Sequence, residues 1–90
     1  MLKKLKLALR IKTEVYDDEL LSLIEAAKLD LSIAGITKNE QEDPLIARAI
    51  ITYCMMNFGN PGEYDRLKKS YDEQKAQMSN ASGYTDWGDL

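Results

Sequence analysis

Ninety residues allow one domain with a modest core. A hydrophobic fraction of 44% beside 30% charged residues is globular composition and excludes a disordered chain. One cysteine excludes an intrachain disulfide, the lack of histidine excludes imidazole acid–base chemistry and most zinc sites, and no apolar run approaches a membrane span. The start of the chain lacks the uninterrupted apolar core of a signal peptide, so the reading is of a soluble protein that is not exported.

Net charge is −3 and unevenly spread. Residues 1–12 carry five basic groups, Lys3, Lys4, Lys6, Arg10 and Lys12, and no acid, whereas residues 13–43 carry nine acids and two lysines. Residues 44–78 are close to balance, and Asp86 and Asp89 follow. A basic element beside an acidic one suits head-to-tail contact between copies. A solvated surface with uneven decoration accounts for the same pattern.

Residues 2–11, LKKLKLALRI, fit two periods. Leu2, Leu5, Leu9 and Ile11 fall near one helical face, while Leu5, Leu7, Leu9 and Ile11 alternate as in a strand. Leucine, alanine, lysine and arginine are strong helix formers and no β-branched residue precedes Ile11, so helix is favoured. The basic side of that helix fits a membrane surface, but the acidic remainder of the chain opposes it, and a short docked helix is preferred. Thr13–Tyr16 form the first connection. Asp17 or Asp18 suits the cap of a second helix, and Asp18 with Glu19 places negative charge in its first turn. Its apolar stripe is Leu20, Ile24, Ala27, Leu31 and Ala34, widened by Leu23, and Gly35 suits its end. Glu25, Lys28 and Asp30 point to solvent or a neighbour. Residues 36–42, ITKNEQE, read as a polar loop.

The stretch DPLIARAIITYCMMNFG, residues 43–59, predicts the central helix. Asp43 suits the cap, Pro44 the first helical position, and Gly59 a left-handed stop. Ile46, Ile50, Cys54 and Phe58 recur every four residues, with Ala47, Ile51 and Met55 alongside and Arg48 as the one charge, so this helix is expected to be covered on more than one side. Asn60, Pro61 and Glu63 resemble a capping box for a last helix. Tyr64, Leu67, Tyr71 and Met78 form its expected inner face, interrupted by Gln74 and Lys75. Lys68–Asp72 and Lys69–Glu73 are candidate four-apart ion pairs, and the helix is expected to fray near Ser79. The expected organisation is a helical domain over 1–78 and a flexible C-terminal tail over 79–90, SNASGYTDWGDL. Tyr84 and Trp87 in that tail suit docking on the chain's own bundle and packing on an adjacent subunit equally well, with no ordered role as the third reading.

No motif for chemistry emerges. Cys54, alone within an apolar helix, reads as a small buried hydrophobe. Asp17-Asp18-Glu19 and Glu40-Gln41-Glu42-Asp43 lack calcium-loop spacing and read as helix-start charge and solvated loop. The glycines form no phosphate-binding loop. Neither a cofactor nor a catalytic group is expected, which leaves a structural or interaction module. The basic segment at Lys3, Lys4, Lys6 and Arg10 suits phosphates, but overall acidity opposes non-specific DNA affinity, and no recognition helix is identifiable.

Three segments resemble the small head–tail connector proteins of tailed bacteriophages, known in prophages as DNA-packaging proteins. They are LKLALRIKTEVYDDELLSLIEAAKLDL at 5–31, DPLIARAIITYCMMNFGNP at 43–61 and EYDRLKKSYDEQKAQM at 63–78. Within the second, Tyr53, Cys54, Asn57, Phe58 and Gly59 carry the likeness, and the ending YTDWGD at 84–89 is similar to that of related prophage proteins. The resemblance implies an all-α bundle of about four helices. It implies assembly as a homo-oligomeric ring between the capsid portal protein and a stopper or tail-completion protein, at the head–tail junction of the virion, after synthesis in the host cytoplasm, from a chain that can be a monomer in solution. DNA would pass through the lumen without its sequence being read, and no catalysis, cofactor or membrane would be involved. The residues read as interface candidates are Lys3, Lys4, Lys6, Arg10, Asp17, Asp18, Glu19, Tyr84 and Trp87. The alternative reading is a small helical interaction or regulatory protein that binds DNA through its basic N-terminal segment.

Overall fold

A computed structural model describes residues 1–36, 43–58 and 61–79. Among the described residues there are four α-helices: α1 (Leu2–Leu9), α2 (Asp17–Ile33), α3 (Pro44–Phe58) and α4 (Tyr64–Ser79), the last entered through a 3-10 turn at Pro61–Glu63. The all-α bundle expected from the periodicities is therefore the observed architecture. Gly59 and Asn60, the loop at 37–42 and the tail beyond Ser79 lie outside the described residues, and with them the expected stop at Gly59 and cap at Asn60.

Apolar periodicity decides which faces turn inward. On α2 the stripe Leu20, Ile24, Ala27 and Leu31 is buried, with Leu23 and Ala34 packed beside it. On α3 the buried set is Ile46, Ala47, Ala49, Ile50 and Cys54, and Arg48 stays exposed. Because α3 packs against α1, α2 and α4, it is covered from several sides, as its low polarity requires. Its start follows the sequence closely. The Asp43 carboxylate accepts a 2.8 Å hydrogen bond from the Leu45 amide, and Pro44 occupies the first helical position, where no amide is needed. From α1, Leu5 is fully buried, with Met1, Leu2, Leu9 and Ile11 resting on the core. From α4 come Leu67, Tyr71 and Met78.

Helices α1 and α2 end in the same way. In each, a residue at the end takes a left-handed backbone conformation, the cap itself in α1 and the residue after the cap in α2, and two amides fold back onto the last turn. At α2 the pair is Gly35 to Ser32 (2.9 Å) and Ile36 to Leu31 (3.0 Å), with Gly35 at φ 85°. At α1 it is Arg10 to Leu7 (3.2 Å) and Ile11 to Lys6 (2.9 Å), with Arg10 at φ 59°. Glycine adopts this conformation freely, whereas arginine does so at a cost of about 1 kcal/mol.

Three local expectations need correction. Tyr16, not Asp17 or Asp18, takes the N-cap position of α2 and makes no side-chain cap bond. Asp17 is instead the first helical residue, turned toward Lys6, and its own amide bonds the Glu14 carbonyl at 3.1 Å. Tyr64, expected to face inward, is 39% exposed, because as the first residue of α4 it lies at the rim of the bundle. Glu63 pairs with the Arg66 guanidinium three residues ahead, while its expected reach back to Asn60 involves a residue outside the described ones. Of the two four-apart pairs on α4, Lys68–Asp72 forms at 2.8 Å and Lys69–Glu73 does not.

Candidate functional site

The candidate site is a surface, and its two ends differ. Because α2 and α3 run antiparallel, the start of α2 and the end of α3 share one end of the bundle, where the Tyr16 and Phe58 rings meet edge to face at 5.3 Å. Helix α1 is tied to this end by an ion pair between Lys6 Nζ and Asp17 Oδ1 at 2.8 Å. The pair joins two interface candidates within one chain, so neither charge is wholly free for a neighbour. Its net contribution is modest, since both side chains retain some contact with water.

The other candidates at this end have no such partner. Lys3, Lys4 and Arg10 are exposed and meet no carboxylate among the described residues. Asp18 and Glu19 are exposed in the first turn of α2, where the helix dipole favours them without a cation. Beside these charges stand apolar side chains that the fold leaves open: Leu7 is 71% exposed and Val15 79%. Leu2, Lys3, Lys6, Leu7 and Ile11 line a groove of about 330 Å³ along α1. Tyr84 and Trp87 lie outside the described residues.

Helix α2 carries a second open surface. Its outward side displays Leu21, Leu29 and Ile33, at 45%, 62% and 75% exposure. The sequence signal for them was available. These apolar residues fall off the buried stripe, and a helix that is apolar on two sides is covered on two sides. Apolar residues grouped in this way mark contact surfaces more often than isolated ones do.

At the opposite end the polar groups satisfy one another. Asp30, near the end of α2, accepts hydrogen bonds from the Tyr71 hydroxyl at 2.5 Å and from Lys75 Nζ at 3.1 Å. Lys75 also stands 5.1 Å from the centre of the Tyr71 ring, whose edge meets Tyr53 at 5.3 Å. Burial first, and then the bond to Asp30, hold the Tyr71 hydroxyl well above the usual phenol range. Lys75, which interrupts the apolar pattern of α4, is thus a structural partner of α2.

These groups do not compose a reactive centre. Cys54 is fully buried, and burial pushes its thiol up to about 12, so it carries no thiolate near neutral pH. Among the described residues, no group of three or more metal-ligating side chains comes together, and no helix is long and apolar enough to cross a membrane.

A small helical bundle whose open features are apolar faces and unpaired charges is built to be a component of an assembly. The chain belongs to the phage connector protein family, which it matches over residues 1–85. Membership makes it a structural protein with a connector role in head completion, not an enzyme. No curated protein and no solved structure matches the chain significantly.

Proposed function

We propose that copies of this chain form a ring between the capsid portal and the stopper or tail-completion protein, extending the DNA channel at the head–tail junction. The family match across 1–85 carries this reading. The mechanism is geometric. Lateral contacts between copies close the ring, one rim meets the portal, and the other presents a platform for the next component. The open faces of α1 and α2 suit this role, since each subunit then has apolar surface left to bury after its own core is complete. The net charge of −3 also suits a channel, because an acidic wall lets DNA slide where a basic one would hold it. The organisation that fits is a helical body over 1–78 with an arm over 79–90 that orders on assembly.

Co-sedimentation with purified portal assemblies from the same genome tests the reading, repeated on DNA-filled capsids. Stoichiometric co-sedimentation is expected, and no binding to either would overturn it. The exposed, unpaired Lys3, Lys4 and Arg10 favour one second reading, in which the chain is a regulatory protein bound to duplex DNA. Tight binding at physiological salt that fails when Lys3 and Lys4 are replaced would move the assignment there.

A further inference from the structure

We infer that the α1 groove is the receptor for residues 84–89 of a second copy of this chain, so that subunits join head to tail. Three observations support this. The first is chemistry. The groove offers Leu2, Leu7 and Ile11 as an apolar floor and Lys3 at its edge, with Lys4 and Arg10 on the same short element. Lys3, Lys4 and Arg10 have no carboxylate partner among the described residues, and Leu7 is 71% exposed. Residues 80–90 are the complement: Tyr84 and Trp87 interleaved with Asp86 and Asp89, and no basic residue. An aromatic flanked by acids suits an apolar groove edged with lysine.

The second observation is position. The groove belongs to the end of the bundle where Lys6 meets Asp17. Helix α4 finishes at the other end, where Lys75 meets Asp30 and Met78 packs beside Leu45 at the start of α3. Asp17 and Asp30 are separated by about 20 Å of α2, and α4 runs on for a further turn beyond Lys75.

The third is reach. Tyr84 lies five residues beyond Ser79, at most about 18 Å of extended chain, and Trp87 eight residues beyond it, at most about 29 Å. The path along α2 and the last turn of α4 is about 26 Å, longer than the backbone span to Tyr84 and close to the full span to Trp87. Between subunits stacked end against end the distance is short. A segment leaving one end and a receptor at the other make a heterologous contact, the kind that closes into rings or grows into filaments. This inference rests on the connector reading only for the need to assemble in many copies.

Trp87 is the single tryptophan, so its fluorescence reports docking in the intact chain. Emission and anisotropy of the full chain are followed from micromolar to millimolar concentration. The expected result is a blue shift that grows with concentration. Leu7→Asp and Lys3→Glu should each raise the half-point by about 10-fold or more. An equimolar mixture of L7D chains, with an intact tail, and W87A chains, with an intact groove, should yield a one-to-one dimer and nothing larger.

Three results would overturn the inference: red emission at every concentration, blue emission independent of concentration, or a concentration-dependent shift that neither L7D nor K3E moves. The second would mean docking within one chain. Portal binding separates the two readings. Rings that form normally from L7D chains sink this inference alone, whereas head-to-tail docking without portal binding sinks the connector reading alone.

Discussion

The two ends of the bundle draw on the same residue types and use them in opposite ways. At one end Asp30 gathers the Tyr71 hydroxyl and the Lys75 ammonium, and the Tyr53 and Tyr71 rings close over the core. At the other, Lys6 finds Asp17, but Lys3, Lys4 and Arg10 find no acid among the described residues, and Leu7 and Val15 stand in water. The difference separates two tasks. Polar groups that satisfy one another hold α4 to α2 and stabilise the fold. Charges and apolar groups left unsatisfied contribute little to the isolated subunit and are available to a partner. A residue's contribution to stability and its contribution to assembly should therefore come apart at the two ends.

The largest expected effect lies in the core that both ends share. Ile50 is fully buried on α3, and Ile50→Ala should cost about 3–4 kcal/mol, read as a lowered denaturation midpoint. That is a large share of the stability of a domain this small. At the closed end, Asp30→Ala should cost about 2 kcal/mol, because it leaves the buried Tyr71 hydroxyl without its charged acceptor. At the open end, Leu7→Asp should change unfolding by no more than about 0.5 kcal/mol, since Leu7 has little burial to lose. If L7D destabilised as much as D30A, the division between the ends would fail.

Helix ends sharpen the comparison. Gly35→Ala should destabilise by about 1 kcal/mol, because alanine resists φ 85°. Arg10→Gly should be neutral or stabilising by a few tenths of a kcal/mol, as relief of the left-handed strain is partly offset by greater freedom in the unfolded chain. Thermal melts of the two variants should thus move in opposite directions, or one should move alone.

The remaining effect is one of pH and is confined to the alkaline range. Burial raises the Cys54 thiol to about 12 in the fold, whereas in the unfolded chain it ionises near about 8.5. The folded state keeps its proton longer, so stability falls as pH rises from about 8.5 toward 12. Burial and Asp30 raise the Tyr71 hydroxyl in the same direction, which adds a loss above about pH 10. Cys54→Ala should flatten the first part of the decline and Tyr71→Phe the second, both measured as denaturation midpoints against pH.

What was legible in the sequence follows the range of the interactions. The α2 stripe from Leu20 to Leu31 and the α3 set from Ile46 to Cys54 repeat at helical spacing, so their inward faces follow from order alone. Asp43–Pro44 announced the start of α3 because a cap is a two-residue signal. The Asp30 cluster was not legible. Its bonds join residues 41 and 45 positions apart, and no local pattern connects them. Arg10 in a left-handed conformation ran against propensity, because tertiary packing of Leu9 and Ile11 directs the chain there despite the missing glycine. Tyr64 misled because it keeps the period of Leu67 and Tyr71 at a place where the bundle has run out. Among the interface candidates, Lys3, Lys4, Arg10, Asp18 and Glu19 are exposed, and Lys6 with Asp17 proved to be an internal pair. Leu7, Leu21, Leu29 and Ile33 were not singled out, since an apolar residue off the main stripe looks ordinary until the main stripe is seen to be covered.

The most direct test is an image of the protein bound to portal assemblies from the same genome. The connector reading predicts a ring coaxial with the portal. In it the Asp30–Tyr71–Lys75 cluster is closed within each subunit, and the α1 end of each subunit is covered by another molecule. Portals that remain bare after incubation, both purified and on DNA-filled capsids, would contradict it.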